Sequence, residues 1–293
     1  MLREKIKRKV YEASSDIVYL SDRVKYARTL PELSFSDRRI VKGLRDEGVA
    51  ITSLDDLGVP DTDAFLNAAN ALNRQLDQQM GDRSQLSTNE RHAFSHAIPI
   101  DAVTIARDWP ELFLWGVHDR ILDIMERYIG MPASCHGVNM RRDVTNGKQI
   151  GTRCWHIDGE DRTVVKVIIY MSDVEGDCGP FEYIPYALTP SYKKFKHVNY
   201  QIDNAEMEKV IPRSQWKQCT GKKGTVIFTD TGKIFHHGSM PEQERTAIFF
   251  AYTSNRPKRP EMCESSSFRK GLDHLSVPLT ARQKRSIWHY RDR

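Results

Sequence analysis

The run Trp155-His156-Ile157-Asp158 sets an imidazole and a carboxylate two residues apart. Alternate side chains of an extended strand share a face, so His156 and Asp158 can point two metal ligands at one place. Two such ligands need a third to hold a divalent ion firmly. The segment Asp230-Thr231-Gly232-Lys233-Ile234-Phe235-His236-His237-Gly238 offers candidates, directly after the apolar run 224–230. By itself the His-x-Asp spacing is weak evidence, because it is common on protein surfaces. Arg245 adds to it. It opens the apolar stretch Thr246–Tyr252, where a guanidinium can grip a carboxylate through two parallel hydrogen bonds.

Two histidines and one carboxylate on one face of a metal leave the opposite positions open. That is the arrangement of non-haem Fe(II) oxygenases, whose open positions take a bidentate co-substrate and O2.

The elements that must position these groups fall into two textures. Residues 1–30 predict a helix with a patchy apolar stripe, broken at Leu30-Pro31. Ser36-Asp37 can cap a second helix carrying Ile40, Val41 and Leu44, ended by Gly48, with a short strand 49–52 after it. Asp61 to Met80 and Glu111 to Ile129 predict two more helices, the second closed by Gly130. Residues 81–100 predict a polar loop. Helical periods stop after residue 130. Short β-rich runs follow at 134–141, 164–172, 181–184, 224–230 and 245–253, with a helical coda at 280–290. The pattern predicts a mainly β sandwich or small barrel with flanking helices. The organisation expected is one domain over 1–293: a mostly helical N-terminal elaboration over 1–130, a β core over 131–255 and a C-terminal helical extension over 256–293.

Composition bounds the rest. The chain has 293 residues, 39% hydrophobic and 28% charged, with a mean hydropathy of −0.57. These are values of a globular protein, not of a disordered or fibrous one. No apolar stretch approaches the ~20 residues of a membrane span, and no apolar core follows the basic N-terminus as in a secretory signal. The five cysteines, 135, 154, 178, 219 and 263, are too widely spaced for a metal knuckle. They read as packed thiols of a reducing, cytoplasmic compartment. The net charge of +5 comes from basic ends around an acidic middle. Mixed signs and the lack of interleaved aromatics argue against nucleic acid as a partner. The ends read as solvated helix faces lying against the acidic middle.

The ordered motifs 155–162, Lys166 to Val174, Gly179-Pro180-Phe181-Glu182-Tyr183-Ile184-Pro185, and Gly224-Thr225-Val226-Ile227-Phe228 … His236-His237-Gly238 … Pro241 … Arg245 resemble the phytanoyl-CoA dioxygenase-like group of Fe(II)/2-oxoglutarate oxygenases. The resemblance covers about residues 135–255, and 46–51 is similar to the family's entry strand. It implies a double-stranded β-helix. His156, Asp158 and one of His236 and His237 would be iron ligands, with His236 in the family's register of ligand, variable residue, glycine. Arg245 would bind the far carboxylate of 2-oxoglutarate, with Lys166 and Asn139 as further contacts. Tyr170 would either border the pocket or sit in the core, and Trp155 would pack. The cofactors implied are Fe(II), 2-oxoglutarate and O2, with ascorbate as reductant. The reaction implied is hydroxylation of a small metabolite, with succinate and CO2 as by-products. Desaturation, epoxidation and rearrangement use the same ligands.

Two departures stand out. Pro185-Tyr186-Ala187-Leu188 replaces the family's Pro-Gly-Ser-His, and the His236-to-Arg245 spacing is short. Two other classes compete: a silent β-helix used as a binding module, which has no need of an intact ligand set, and a zinc hydrolase, which gives Arg245 and Lys166 no task.

Overall fold

Alternation along the strands after residue 130 decides the layering. The computed structural model describes residues 2–81, 96–100, 102–263 and 277–288. Helices α1 (Leu2–Tyr26) and α2 (Phe35–Asp46) precede β1 (Val49–Ser53), α3 (Leu54–Leu57) and α4 (Thr62–Gly81). Next come β2 (Ala97–Ile100), α5 (Ala102–Asp108), α6 (Pro110–Gly116) and α7 (Asp119–Ile129). The β core is β3 (Ala133–Asp143), β4 (Val165–Tyr170), β5 (Phe181–Tyr183), a short α8 (Asn204–Glu208), β6 (Lys217–Cys219), β7 (Thr225–Asp230), β8 (His236–Gly238) and β9 (Arg245–Ser254). Helices α9 (Pro260–Cys263) and α10 (Ala281–Trp288) close the described chain.

The large antiparallel sheet runs β1-β7-β4-β9-β3-β2 and the small one β6-β5-β8. His156 bridges to His236 on the free side of β8, which adds a fourth member to the small layer. The layers β3-β9-β4-β7 and 156-β8-β5-β6 form the double-stranded β-helix. On β4, Val165, Val167 and Ile169 face the helices, among Leu44, Phe65, Phe113, Ile121 and Met125. Ile168 and Tyr170 face the small sheet, among Phe181, Tyr183 and Phe249.

One irregularity aims the site. Register between β3 and β9 shifts from Cys135↔Tyr252 to Val138↔Phe250, at Gly137 with φ +101°. Cys135, Val138 and Met140 all pack on the helix side, which unbroken alternation forbids. The bulge therefore turns Asn139, Arg141 and Asp143 to the inside of the β-helix.

The structure corrects several expectations. The cap of α2 is Ser34, whose Oγ accepts from Asp37 N at 3.1 Å, not the Ser36-Asp37 pair. The helix expected over 111–129 is two helices, α6 and α7. A Cβ at Gly116 would lie 2.3 Å from the Phe250 ring, and Gly116 O accepts from Tyr252 Oη at 2.6 Å, so the chain turns there against the sheet. Residues 97–100, expected in a loop, pair with β3 as an edge strand, where Pro99 is tolerated. The rest of that loop, 82–95, lies outside the described residues, as do 289–290 of the coda. One arginine of the basic C-terminal region lies on the acidic middle: Arg282 donates to Asp123 at 2.6 Å and to Glu126 at 2.9 Å on α7, whereas Arg256 pairs with Asp22 of α1. Among the described residues no helix is long and apolar enough to cross a membrane.

Candidate metal centre

His156 and His236 are directly opposed. His156 N donates to His236 O at 3.1 Å and His236 N to His156 O at 3.0 Å. Opposed residues of an antiparallel pair put their side chains on one face, and the two ring centroids lie 4.2 Å apart. The strand expected through 155–158 is only these bridges at Trp155 and His156. Asp158 is aimed instead by its own N–H, which donates to Thr231 O at 2.9 Å. Its Oδ1 lies 3.7 Å from His156 Nε2 and its Oδ2 3.8 Å from His236 Nε2. The ligand atoms of all three lie within 4.8 Å of one another.

The donor chemistry fits a divalent ion. His156 Nδ1 bonds Cys154 O at 2.8 Å and His236 Nδ1 bonds Ile234 O at 3.2 Å, so each Nδ1 must carry the proton and each Nε2 presents a lone pair inward. Burial pushes both imidazole pKa values down, His236 furthest, with His156 beside it adding to the effect. Both rings are therefore neutral, as ligation requires. Burial alone would raise the Asp158 carboxyl. The Lys166 ammonium, 2.5 Å from Oδ2, and the two imidazoles outweigh it and hold Asp158 well below the usual carboxylate range.

His237 is turned away. Its Nδ1 bonds Arg153 O at 2.8 Å, its Nε2 bonds Glu182 Oε2 at 2.7 Å, and its ring packs 3.9 Å from Trp155. Both nitrogens are occupied, so His236 is the histidine the structure offers to a metal. Asp230, which opens the same segment, is structural. It accepts from Tyr128 Oη at 2.6 Å and pairs with Lys233 at 2.8 Å.

An inner cavity of about 130 Å³ is lined by His156, His236, Lys166, Asn139, Arg141 and Arg245. Asn139, Lys166 and Arg245 are thus brought to one space, as expected from the resemblance. Arg245 is held there by Asp143, whose Oδ2 accepts from both Nε, at 3.1 Å, and Nη2. Burial disfavours ionisation of Asp143, but Arg245 and Arg141 prevail and keep its carboxyl below the usual range. Arg141, missed in the sequence, stacks 4.1 Å from the Phe249 ring. The i, i+2 series Asn139-Arg141-Asp143 was the signal for it. Tyr170 belongs to the core: its Oη donates to Cys219 O at 2.7 Å and accepts from Phe181 N at 3.1 Å. A second cavity, of about 430 Å³, opens outward from His156 and Asp158.

The sequence matches no protein-family profile and no curated protein. Solved structures do resemble it. AviO1 from Streptomyces viridochromogenes Tue57 aligns over 76% of this chain and 97% of its own, at 16% identity and a TM-score of 0.50. The non-heme alpha-ketoglutarate-dependent epimerase SnoN from nogalamycin biosynthesis aligns over 85% and 94%, at 14% identity and 0.49. EctD from S. alaskensis, solved with 2-oxoglutarate and 5-hydroxyectoine, aligns over 76% of both chains, at 17% and 0.48. At these identities the likeness to AviO1 speaks for the fold alone.

Proposed function

We propose that this protein is an Fe(II)/2-oxoglutarate-dependent oxygenase of the phytanoyl-CoA dioxygenase-like group, oxidising a C–H bond of a small-molecule metabolite. The observation that carries the reading is the junction of a two-histidine, one-carboxylate cluster with an inner cavity whose lining includes Arg141 and Arg245. Iron, 2-oxoglutarate and O2 together supply oxidation of the substrate coupled to release of succinate and CO2, and ascorbate would serve as reductant.

In this reading His156, Asp158 and His236 hold the iron. Arg245, steered by Asp143, and Arg141 orient the far carboxylate of the co-substrate, beside Asn139 and Lys166. Ile168, Phe181 and Phe249 wall the inner cavity and exclude water. Hydroxylation is the default outcome. Desaturation, epoxidation and rearrangement use the same ligands and stay within the same assignment.

The test is uncoupled turnover. Iron-loaded protein given 2-oxoglutarate and O2 should release succinate slowly, and Asp158→Ala should not. Succinate at the Asp158→Ala level from wild type with both iron and 2-oxoglutarate bound would refute the assignment.

A further inference from the structure

The outer cavity differs in chemistry from the inner one. Its walls include Glu160, Tyr192, Tyr200, Gln201, Arg259 and Met262. Its volume of about 430 Å³ is within the ~300–1,000 Å³ of small-molecule sites.

Arg259 is fixed in place but its charge is left over. Its N–H donates to Glu160 O at 2.8 Å. Asp161 pins the segment around it, accepting from Ser254 N at 2.9 Å and Lys258 N at 3.1 Å. The guanidinium lies against Gly159, where a Cβ would come within 2.9 Å of Nη1. Among the described residues it meets no hydrogen-bond acceptor and no carboxylate, whereas nearby arginines are paired, Arg162 with Asp16 at 2.6 Å and Arg256 with Asp22. A guanidinium fixed beside a cavity with no anion of its own is open to an anionic ligand. Glu160 Oε2, on the same cavity, is buried and also lacks a hydrogen-bond partner among the described residues.

Another part of the lining is aromatic and tied to the loop that carries His156 and Asp158. Tyr192 Oη accepts from Ile157 N at 2.8 Å and donates to Tyr200 O at 3.1 Å. Tyr192 and Tyr200 meet edge to face at 5.4 Å. Tyr200 and Asn199 are the two tip residues of a hairpin closed by Val198 and Gln201, with φ of +61° and +50°. Such a turn favours glycine at its second tip position. A tyrosine there carries strain, and strain of this kind gathers at ligand sites.

We propose that the outer cavity takes a carboxylic acid with an aromatic or apolar body. Its carboxylate pairs with the Arg259 guanidinium, its body lies on Tyr192 and Tyr200, and a hydroxyl or amine on it donates to Glu160 Oε2. This names the substrate class of the oxygenase and so rests on the metal-centre reading.

The probes are 3-phenyllactate and its neutral amide, 3-phenyllactamide, titrated calorimetrically into full-length protein carrying Zn(II), which blocks turnover. Binding of 2-oxoglutarate is measured first. Its failure would count against the co-substrate assignment alone, since the acid and the amide can still be compared. The acid is expected to bind at least about tenfold more tightly than the amide. Arg259→Gln should erase that difference by weakening the acid only, and Arg259→Lys should restore part of it. Equal binding of acid and amide, binding of neither, or an acid preference that survives Arg259→Gln would overturn the proposal.

Discussion

Glu182 and His237 stand directly opposite each other on β5 and β8, joined Oε2 to Nε2 at 2.7 Å and buried beneath Trp155. This pair is why two adjacent histidines have different fates. Carbonyl oxygens only accept, so the bond from His237 to Arg153 O needs a proton on Nδ1. The bond to Glu182 then shares a second proton. His237 thus anchors the small sheet, while His236, one residue earlier, faces its opposed partner His156.

His236→Ala should therefore lose bound iron with the fold retained. His237→Ala should keep iron and lose roughly 3–5 kcal/mol of stability, because it strands a buried carboxylate. Metal analysis and urea unfolding of both variants check this; loss of iron in His237→Ala alone would reverse the assignment.

Arg245→Ala should weaken 2-oxoglutarate binding by ~2–5 kcal/mol while iron still binds, as expected when one partner of a desolvated charge pair is truncated. Asp143→Asn should weaken it less, because Arg245 keeps its charge and an amide oxygen still accepts from it, though without the carboxylate's charge to steer it. Calorimetric titration of the zinc-loaded variants measures both; unchanged affinity in Arg245→Ala would remove it from the site.

Tyr192→Phe should leave Ile157 N–H, between the candidate ligands His156 and Asp158, without its acceptor. Outer hydrogen bonds of this kind are worth about 10–100-fold in metal affinity. Competition with a chelator would register the drop, and an unchanged constant would show that Tyr192 does not support the ligand loop.

Burial lowers the His96 pKa to about 4 from its usual 6.5. The unfolded chain then takes up this proton before the folded one does. Stability is complete above pH 6.5 and declines as pH falls toward 4, at up to about 1.4 kcal/mol per pH unit. His96→Gln should flatten that portion of the curve in the metal-free protein. Urea midpoints between pH 7 and 4 test it, and parallel curves would show that His96 does not drive the decline.

The sequence by itself determined the change from helical to β texture, which residues of β4 share a face, and the candidates His156, Asp158, Arg245 and the His236-His237 pair. Alternation and short spacing are local properties, and a strand of six to ten residues displays them. Tertiary structure decided what depends on distant partners. β6 and β8 are three residues each, too short to show a period, and exist because β5 pairs with both. The end of α6 at Gly116 is set by the Phe250 ring. The bulge at Gly137, made in pairing with β9, sets which face the whole series Asn139-Arg141-Asp143 takes relative to the first residues of β3. The choice of His236 over His237 likewise came from the residue across the strand. In each case an energy that no local pattern records, the pairing or packing against a segment far along the chain, selected the outcome.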